Sequence, residues 1–282
     1  MKLIKPSVEI IKQEEYDLNY IFKFIELAGR TCYKSEDKIT EDSAKQFVNR
    51  MIKSGHGAML EHGTVYLTIP NTNITDNELY RYISSPYFSV FKGDCYTYIT
   101  TNYRVIIEND WNESLKYITT PTKFHERRTT VKFICDRGVS HEFVRHRVFS
   151  FAQESTRYCN YTKDKFNNEL TFIIPCWIKD LEEGNYRDPR QYFHTKHYNT
   201  SNYASGLWFY NCLDVESLYT DLIEEGWKPQ EARSILPNSL KTELIMTGFD
   251  SDWQNFFKLR CAPNAHPQAK ELADMLKDKF NK

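Results

Sequence analysis

The sequence has no long apolar run, and this absence limits where the protein can reside. No window of the 282 residues approaches the roughly eighteen consecutive apolar positions that a membrane-spanning helix needs. The opening segment, MKLIKPSVEI, contains lysines but no apolar stretch typical of a leader peptide. We therefore expect a cytoplasmic protein without a membrane partner.

The sequence also has almost no excess charge of either sign. Lys and Arg number 37 and Asp and Glu number 38, which gives a formal net charge of -1. Without a global basic field, non-specific attraction to a polyanion is weak. We therefore expect no nucleic-acid partner, and any site for an anion must be local.

Paired cysteine motifs are absent. The seven cysteines are odd in number and include no Cys-x-x-Cys pair, which argues against a disulfide framework or a zinc ribbon and favours buried, reduced thiols. His56, Glu61 and His62 are possible metal ligands, but their spacing differs from that of the helical His-Glu-x-x-His motif. The sequence predicts no metal site.

A complete glycine-rich dinucleotide fingerprint is missing as well. Gly55 and Gly57 are followed by Leu60 where a third glycine would stand, and no strand–helix–strand unit surrounds them. Helices and strands follow one another without regular alternation, which is typical of an α+β fold. We expect a single domain over residues 1–282, with insertions at about 71–130 and 180–204, where periodicity weakens.

Apolar spacing and turn residues predict the individual elements. Gly29 is expected to end the first helix, and Thr40, Ser140 and Ser251 are expected to cap later ones. The run from Ser150 to Tyr158 is predicted to be a loop. Strands are predicted at about 8–11, 64–69, 130–136, 171–175 and 240–249, and helices at about 17–28, 40–52, 141–147, 205–225, 229–236, 251–261 and from 267 onward.

A dense cationic motif is the strongest signal of function. Arg145-His146-Arg147 is followed by Ser155 and Arg157. If the helix ended at Arg147, the side chains of Arg145 and Arg147 would diverge by about 200° and hold different ligands. Guanidinium groups match phosphates and the polar edges of heterocycles, so a nucleotide phosphate is the natural occupant.

Two other interpretations of this motif remain open. The arginines could form ion pairs with Glu142 and Glu154 on a solvated face, because such charged clusters are common on surfaces. They could also form an RNA-binding patch with the abundant aromatic residues. Against the RNA interpretation, apolar Val148, Phe149 and Phe151 interrupt the cluster, and this favours the wall of a pocket.

The motif resembles the signature of the flavin-dependent thymidylate synthases. That family carries Arg-His-Arg, seven residues, Ser, one residue and Arg, and residues 145–157 reproduce the pattern. Gly55-His56-Gly57 with Glu61 and His62 is similar to a second family segment beside the flavin. Two further segments, residues 232–237 around Arg233 and 255–260 ending at Arg260, are similar to family segments that contact the nucleotide.

The resemblance implies roles for individual residues. Arg260 is the expected catalytic group, which stabilises negative charge on the uracil ring. The residues implied to contact the flavin cofactor are His56, Glu61, Arg145, His146, Arg147, Gln153 and Asn255. The residues implied to bind dUMP are Glu142, Arg145, Gln153, Glu154, Ser155, Thr156, Arg157, Arg233 and Arg260.

The family further implies a reaction and an assembly. Bound FAD reduced by NADPH supplies a hydride, methylenetetrahydrofolate supplies the carbon, and dUMP becomes dTMP without a protein nucleophile. The implied fold is a mostly antiparallel sheet flanked by helices, in a homotetramer with active sites shared between subunits. The rival hypothesis from the same residues is a non-catalytic nucleotide-binding module.

Four positions depart from the family pattern. Ala58 replaces a hydroxyl residue near the flavin, and Phe249 replaces an Asn. Glu142 and Gln153 stand where Gln and Glu are more usual. The amide and acid exchanges retain hydrogen-bonding capacity but change charge, so they bear on the individual contacts at 142 and 153.

Overall fold

The computed structural model describes residues 1–188, 190–191 and 203–280, and these form ten strands and ten α-helices. The strands are β1 (Lys2–Ile4), β2 (Ser7–Ile11), β3 (Thr64–Pro70), β4 (Ser89–Lys92), β5 (Tyr96–Asn102), β6 (Arg128–Asp136), β7 (Ser150–Gln153), β8 (Thr171–Ile173), β9 (Gly184–Asn185) and β10 (Lys241–Phe249).

The helices alternate irregularly with these strands. They are α1 (Leu18–Tyr33), α2 (Ser43–Lys53), α3 (Gly57–Leu60), α4 (Asp76–Ile83), α5 (Tyr103–Glu108), α6 (Arg137–Phe143), α7 (Tyr203–Glu224), α8 (Pro229–Ala232), α9 (Asp250–Arg260) and α10 (Pro267–Phe280). In the described part of the chain, no helix combines the length and apolar character required to cross a bilayer.

The central sheet has the strand order β2-β6-β10-β7, and all its neighbours are antiparallel. Successive side chains on a strand point to opposite faces. Phe133 and Leu244 therefore share one face, where they pack with Trp253 and Phe256 of α9 and Leu272 of α10. The opposite face packs on α1, so helices cover both faces.

Two smaller sheets complete the fold among the described residues. The order β3-β5-β4 is antiparallel and packs its apolar side chains against α1 and α2. The order β8-β1-β9 combines a parallel pair with an antiparallel pair and packs beside α7. The expected α+β class with mostly antiparallel pairing is confirmed, although the strands are divided among three sheets.

Several predicted helix boundaries are wrong for identifiable reasons. Gly29 does not end α1, because it lies where the helix crosses α2, and a Cβ there would lie 2.4 Å from the Phe47 ring. The helix continues to Tyr33 and ends at Lys34, which has positive φ. The predicted cap Thr40 precedes α2 without capping it, since Asp42 occupies the cap position.

The helix expected over residues 141–147 is displaced toward the N-terminus. It begins at Arg137, capped by Asp136, whose carboxylate accepts a 2.6 Å hydrogen bond from the Val139 amide. It ends at Phe143, so residues 145–147 lie in a turn. The predicted cap Ser140 lies inside the helix, and the predicted cap Ser251 lies inside α9, which follows Phe249.

The run predicted as a loop begins instead with strand β7. Ser150–Gln153 pairs with the centre of β10, because its alternating side chains fit between the two helical layers. The remaining predicted strands and helices are found close to their expected positions.

Of the two tracts predicted as insertions, the structure describes the first completely and the second only in part. The first, 71–130, contains α4, β4, β5 and α5 and adds two strands beside β3. Part of the second, 180–204, lies outside the described residues.

The seven cysteines are free thiols, and three of them, Cys135, Cys159 and Cys212, are buried. The expectation of buried thiols does not hold for the others, since Cys95 is exposed and the remaining three are half-buried.

Candidate functional site

The end of α9 and the turn after α6 meet at Arg260. Its Nε donates to Nε2 of His146 at 2.9 Å, and its Nη1 donates to the Glu142 carboxylate at 2.9 Å. A third hydrogen bond runs from Nη2 to the Glu142 carbonyl oxygen. The side chain of Arg260 is 15% exposed, so the guanidinium is fixed in a half-buried position with one edge near solvent.

The charges in this group fix the protonation state of its members. The Arg260 guanidinium lowers the pKa of Glu142. Burial, followed by the charge of Arg260, lowers the pKa of His146 to about 4. The imidazole is therefore neutral near pH 7, and its Nε2 can accept the hydrogen bond from Arg260.

The other cations of the Arg-His-Arg motif face solvent. Arg145 is 69% exposed and approaches Glu142 at 3.4 Å, while Arg147 is exposed. Because both arginines lie after the helix, the divergence calculated from helix geometry does not apply. Asn255, on α9, is exposed, and its side chain forms no hydrogen bond within the described residues.

Gln153 and Glu154 lie at the end of β7 but point to opposite faces. Gln153 Nε2 donates to the Ser140 hydroxyl at 2.8 Å and lies 3.2 Å from the Thr242 hydroxyl. Glu154 is 1% exposed and accepts from Lys241 Nζ at 2.8 Å and from Tyr161 Oη at 3.1 Å. Glu154 is thus a buried anchor rather than an open ligand contact.

The loop after β7 joins two sequence motifs that are distant along the chain. The Ser155 amide donates to the Cys32 carbonyl at 3.0 Å, which fixes the loop on the end of α1. Arg157 is exposed and its guanidinium lies 5.3 Å from the centroid of the Tyr158 ring. Arg233 Nη1 lies 3.5 Å from the Thr156 hydroxyl, so the predicted nucleotide residues 156 and 233 do meet.

A cleft of about 460 Å³ opens beside Thr156 and Arg233. Arg137 and His141 also line it, and no carboxylate does. Among the described residues neither Arg137 nor Arg233 forms an ion pair, and Nη1 of Arg137 is buried without a hydrogen-bond partner. An uncompensated pair of guanidinium groups attracts an anion.

Sequence reasoning missed Arg137. It stands eight positions before Arg145, outside the Arg-His-Arg motif. The signal that could have found it is its position directly after a buried strand and at the start of a helix, where a long cationic side chain can reach the sheet edge.

The second motif forms a separate cleft of about 460 Å³ that contains His56 and Ala58. His56 Nδ1 lies 3.5 Å from Tyr33 Oη, and the Tyr33 ring centroid lies 5.1 Å from that of Tyr158. His56 is thereby connected to the Ser155–Arg157 loop. Tyr33 and Tyr158 form an aromatic wall next to the imidazole.

Glu61 is held at the other side of α3. Its carboxylate accepts from Arg104 Nη1 at 2.7 Å, and its carbonyl accepts from the half-buried Arg128. Arg104 lies directly over Gly57, where an added Cβ would approach its Nε at 3.0 Å. A larger residue at 57 would have to displace the Arg104 guanidinium by a few tenths of an ångström.

His62 is a structural residue. It is completely buried, and its Nδ1 lies 2.9 Å from the Thr247 hydroxyl. Burial and the charge of Arg128 lower its pKa to about 3, so the ring is neutral. Phe249 is one of the four positions that depart from the family pattern, and its ring lies 5.6 Å from the Arg128 guanidinium.

A buried ionic network adjoins the site and was not predicted. Glu243 is 6% exposed and lies within 2.8 Å of Lys34, 2.6 Å of Lys132 and 2.6 Å of Lys241. Burial alone would raise the pKa of Glu243. The three lysines nevertheless hold this pKa well below its usual range. The network fixes the end of α1 against the central sheet.

In one chain, therefore, the predicted residues form two connected groups. The first contains Glu142, Arg145, His146 and Arg260, and the second contains His56, Ser155, Thr156, Arg157 and Arg233. The interpretation of the arginines as surface ion pairs is correct only for Arg145, since Glu154 pairs with Lys241. The fixed guanidinium of Arg260, the neutral imidazole of His146 and the aromatic wall of Tyr33 and Tyr158 are features that suit an anionic ligand with a ring.

Comparison with known sequences gives the family. The sequence model for the family described as "Thymidylate synthase complementing protein" matches residues 114–282. The chain belongs to this family. The match includes Arg137, the Arg-His-Arg motif, Arg233 and Arg260, whereas His56 and Glu61 precede it.

Individual relatives agree with the family match. The chain is 32% identical over 139 residues to a flavin-dependent thymidylate synthase of Pyrococcus furiosus, with 49% of this chain and 48% of that protein covered. A flavin-dependent thymidylate synthase of Corynebacterium aurimucosum is 22% identical over 256 residues, covering 88% and 71%. The chain thus spans about half the length of the first of these relatives.

Solved structures show a more distant likeness. A UMP/dUMP methylase, PolB from Streptomyces cacaoi, bound with 5-Br dUMP, aligns with a TM-score of 0.45 and 16% identity. The alignment covers 99% of this chain and 92% of that one.

Proposed function

We propose that this chain catalyses the flavin-dependent reductive methylation of dUMP to dTMP, with FAD as cofactor, NADPH as reductant and methylenetetrahydrofolate as carbon donor. Family membership supports the reaction class. The observation that carries the proposal is the cleft without carboxylates in which Arg233, Arg137 and Thr156 converge beside the Ser155–Arg157 loop.

The phosphate of dUMP is assigned to this cleft. Two guanidinium groups that form no ion pair with any described residue, and a nearby hydroxyl, supply the donors that a nucleotide monophosphate requires. Ser155 and Arg157 lie on the same loop as Thr156 and would extend the donor set. Glu154 and Gln153 hold the loop against the sheet, so their effect on the phosphate is indirect.

The pyrimidine ring is assigned to Arg260. Its guanidinium is held by His146 and Glu142, and such a preorganised cation stabilises negative charge that develops on the uracil N3 and its neighbouring oxygens. Neutral His146 accepts a hydrogen bond from Arg260, and this contact orients the guanidinium. Because the imidazole carries no charge, it does not compete with Arg260 for the negative charge on the uracil ring.

The flavin is assigned to the exposed arginines and the His56 cleft. Arg145 and Arg147 have donors facing solvent, and Tyr33, Tyr158 and His56 provide flat walls, a combination that fits a ring system with a diphosphate. Glu61 and Asn255 complete the proposed set. When bound, FAD supplies the redox chemistry, and these residues bind it, orient it and exclude water.

The two groups of site residues favour an assembled active site. No described contact joins a side chain of the Arg260 group directly to one of the His56 group, and Arg147 and Asn255 face solvent. We propose a homotetramer in which one subunit's exposed cations complete a site on its neighbour.

The test is the visible absorption spectrum of the purified chain incubated with FAD, recorded anaerobically before and after NADPH is added with dUMP present. A flavin band that bleaches, followed by dTMP formation when methylenetetrahydrofolate is added, supports the proposal. If dUMP binds but no flavin is retained, the chain is a nucleotide-binding module and the redox mechanism is wrong.

A further inference from the structure

A cleft of about 570 Å³ lies in the tract that precedes the family match. It is enclosed by α4, the end of β5 and α5. The carboxylates of Glu61 and Glu108 line it and both pair with Arg104. The other main lining side chains are Arg81, Phe88, Asn102 and Trp111. The flat rings, the amide and Arg81, which pairs with neither carboxylate, suit an aromatic ligand with negative charge.

One wall of the cleft is a fixed aromatic cluster. The ring centroids of Phe88 and Trp111 are 5.6 Å apart, and Tyr82 packs behind them, 4.9 Å from Trp111. Tyr82 is buried, whereas Phe88 and Trp111 are half-buried and line the cavity. Rings held in this way offer a rigid stacking surface with little loss of conformational freedom on binding.

Asn102 supplies a donor directed at the ligand. The residue is only 3% exposed, and its Oδ1 caps α5 by accepting from the Val105 amide at 3.2 Å. Its Nδ2 donates to no other group among the described residues, although the side chain lines the cleft. Because the side chain lines the cleft, this donor is open to an acceptor on a ligand.

Arginines stand at both ends of the cleft. Arg81 forms no ion pair within the described ranges. Arg104 bonds to Glu61 and Glu108, each at 2.7 Å, and it also lines the neighbouring His56 cleft. Arg104 therefore separates two cavities, and the carboxylate of Glu108, which is 54% exposed, can be exchanged for an anionic group of a ligand.

We propose that this cleft is a second ligand subsite, which takes a planar heteroaromatic ring with an anionic tail. The ring stacks on Phe88 and Trp111, an acceptor on it receives the Asn102 amide, and Arg81 binds the tail. A purine nucleotide and a pterin carrying glutamate share this chemistry. The inference rests on the proposed function, whose folate and NADPH co-substrates share this chemistry, but its test uses neither flavin nor dUMP.

Two variants separate binding from folding. Asn102→Asp keeps an oxygen to cap α5 but replaces the donor with an acceptor. Arg81→Gln removes a charge from an exposed position and leaves the core intact. Lys45→Gln, which removes an equally exposed charge from α2, is the matched control, and circular dichroism verifies that all three fold.

The experiment is calorimetric titration of the full chain, without flavin or dUMP, against AMP and separately against folinate. We expect one probe or both to bind, and both cleft variants to weaken that binding by about tenfold or more, as loss of a charge-assisted hydrogen bond does. The control variant should bind like the unmodified chain. Binding of AMP alone identifies a nucleotide subsite, and binding of folinate alone identifies a pterin subsite.

The proposal is overturned if neither probe binds at millimolar concentration, or if both cleft variants bind as the unmodified chain does. Since dUMP and flavin are absent, these outcomes are independent of the methylation reaction. Loss of FAD bleaching or of dTMP formation in the earlier assay would instead count against the proposed function and leave this result unaffected.

Discussion

Arg260 and His146 are joined by a 2.9 Å hydrogen bond in which the guanidinium donates and the imidazole accepts. The two residues are distant in sequence and come from α9 and the turn after α6. Because a protonated imidazole has no acceptor nitrogen, the contact exists only while His146 is neutral. The position of the proposed catalytic arginine is thus coupled to the protonation of one histidine.

Replacing Arg260 tests its assignment to the pyrimidine. Arg260→Ala should retain flavin binding but lower the rate of dTMP formation by about 100- to 1,000-fold, the usual effect of removing a preorganised charge-stabilising donor. Lys258→Ala, at an exposed position on the same helix, is the control. Turnover and flavin absorbance are measured on each, and undiminished turnover of the Arg260 variant would remove this residue from the mechanism.

The pKa of His146 gives a prediction for pH dependence. Its value of about 4 lies below the ordinary 6.5, so the unfolded chain binds a proton between these values that the folded chain does not. The free energy of unfolding should therefore fall as pH decreases from about 6.5 to 4. The loss begins near the ordinary pKa and is complete near the folded one.

Titration of the histidine side chains by NMR measures this directly. The resonance of His146 should remain that of neutral imidazole down to about pH 5. In Arg260→Gln its pKa should rise part of the way toward 6.5, because burial, the larger cause, is unchanged. A normal pKa in the unmodified chain would contradict the neutral, acceptor role of this ring.

The assignment of the phosphate cleft predicts a selective loss of affinity. Arg137→Gln and Arg233→Gln should each weaken dUMP binding by about 10- to 100-fold through loss of a charge-assisted hydrogen bond. Neither should change the weaker binding of deoxyuridine, which has no phosphate. Lys228→Gln, exposed beside the cleft at the start of α8, is the control, and equal losses for both ligands would place the phosphate elsewhere.

The ionic network around Glu243 predicts an effect on stability. Glu243→Gln leaves three lysines without their shared carboxylate and should lower the free energy of unfolding by about 2–4 kcal/mol. Glu36→Gln removes another partner of Lys34 at a more exposed position, and should cost about 1 kcal/mol or less. Urea denaturation compares the two, and similar costs would show that the network contributes little.

The assembly proposal predicts the mass in solution. Light scattering coupled to size-exclusion chromatography should give about four times 33.5 kDa. Mixing Arg260→Ala with Arg147→Ala subunits should restore part of the activity if sites are shared between chains. A fully active monomer would contradict the shared-site proposal.

The sequence predicted elements best where one physical signal dominated. Strands β6 and β10 combine β-branched residues with clear boundaries, and α10 begins at Pro267, so these three were located well. Caps were predicted poorly because Ser and Thr compete with Asp and other residues for the same position. Asp136, for example, caps α6 in place of the predicted Ser140, and the helix therefore ends before the Arg-His-Arg motif.

Contacts between residues that are distant in sequence were harder to predict. The family pattern identified Arg233 and Arg260, and the structure shows that Thr156 meets Arg233 and that Glu142 meets Arg260. Nothing local in the sequence indicated that Arg137 would lack an ion-pair partner or that Arg104 would cover Gly57. The surroundings of these two arginines depend on which helices cross which strands. The periodicity of apolar residues carries no information about those crossings.

Glu142 has one further consequence for ligand recognition. In the free protein its carboxylate already satisfies Arg260, so it acts as an internal competitor for the group that a pyrimidine would contact. Binding must exchange one partner for another, and affinity reflects the difference between the two contacts. A neutral glutamine at 142 would compete less, so the charge at this one position sets how readily the arginine is released to a ligand.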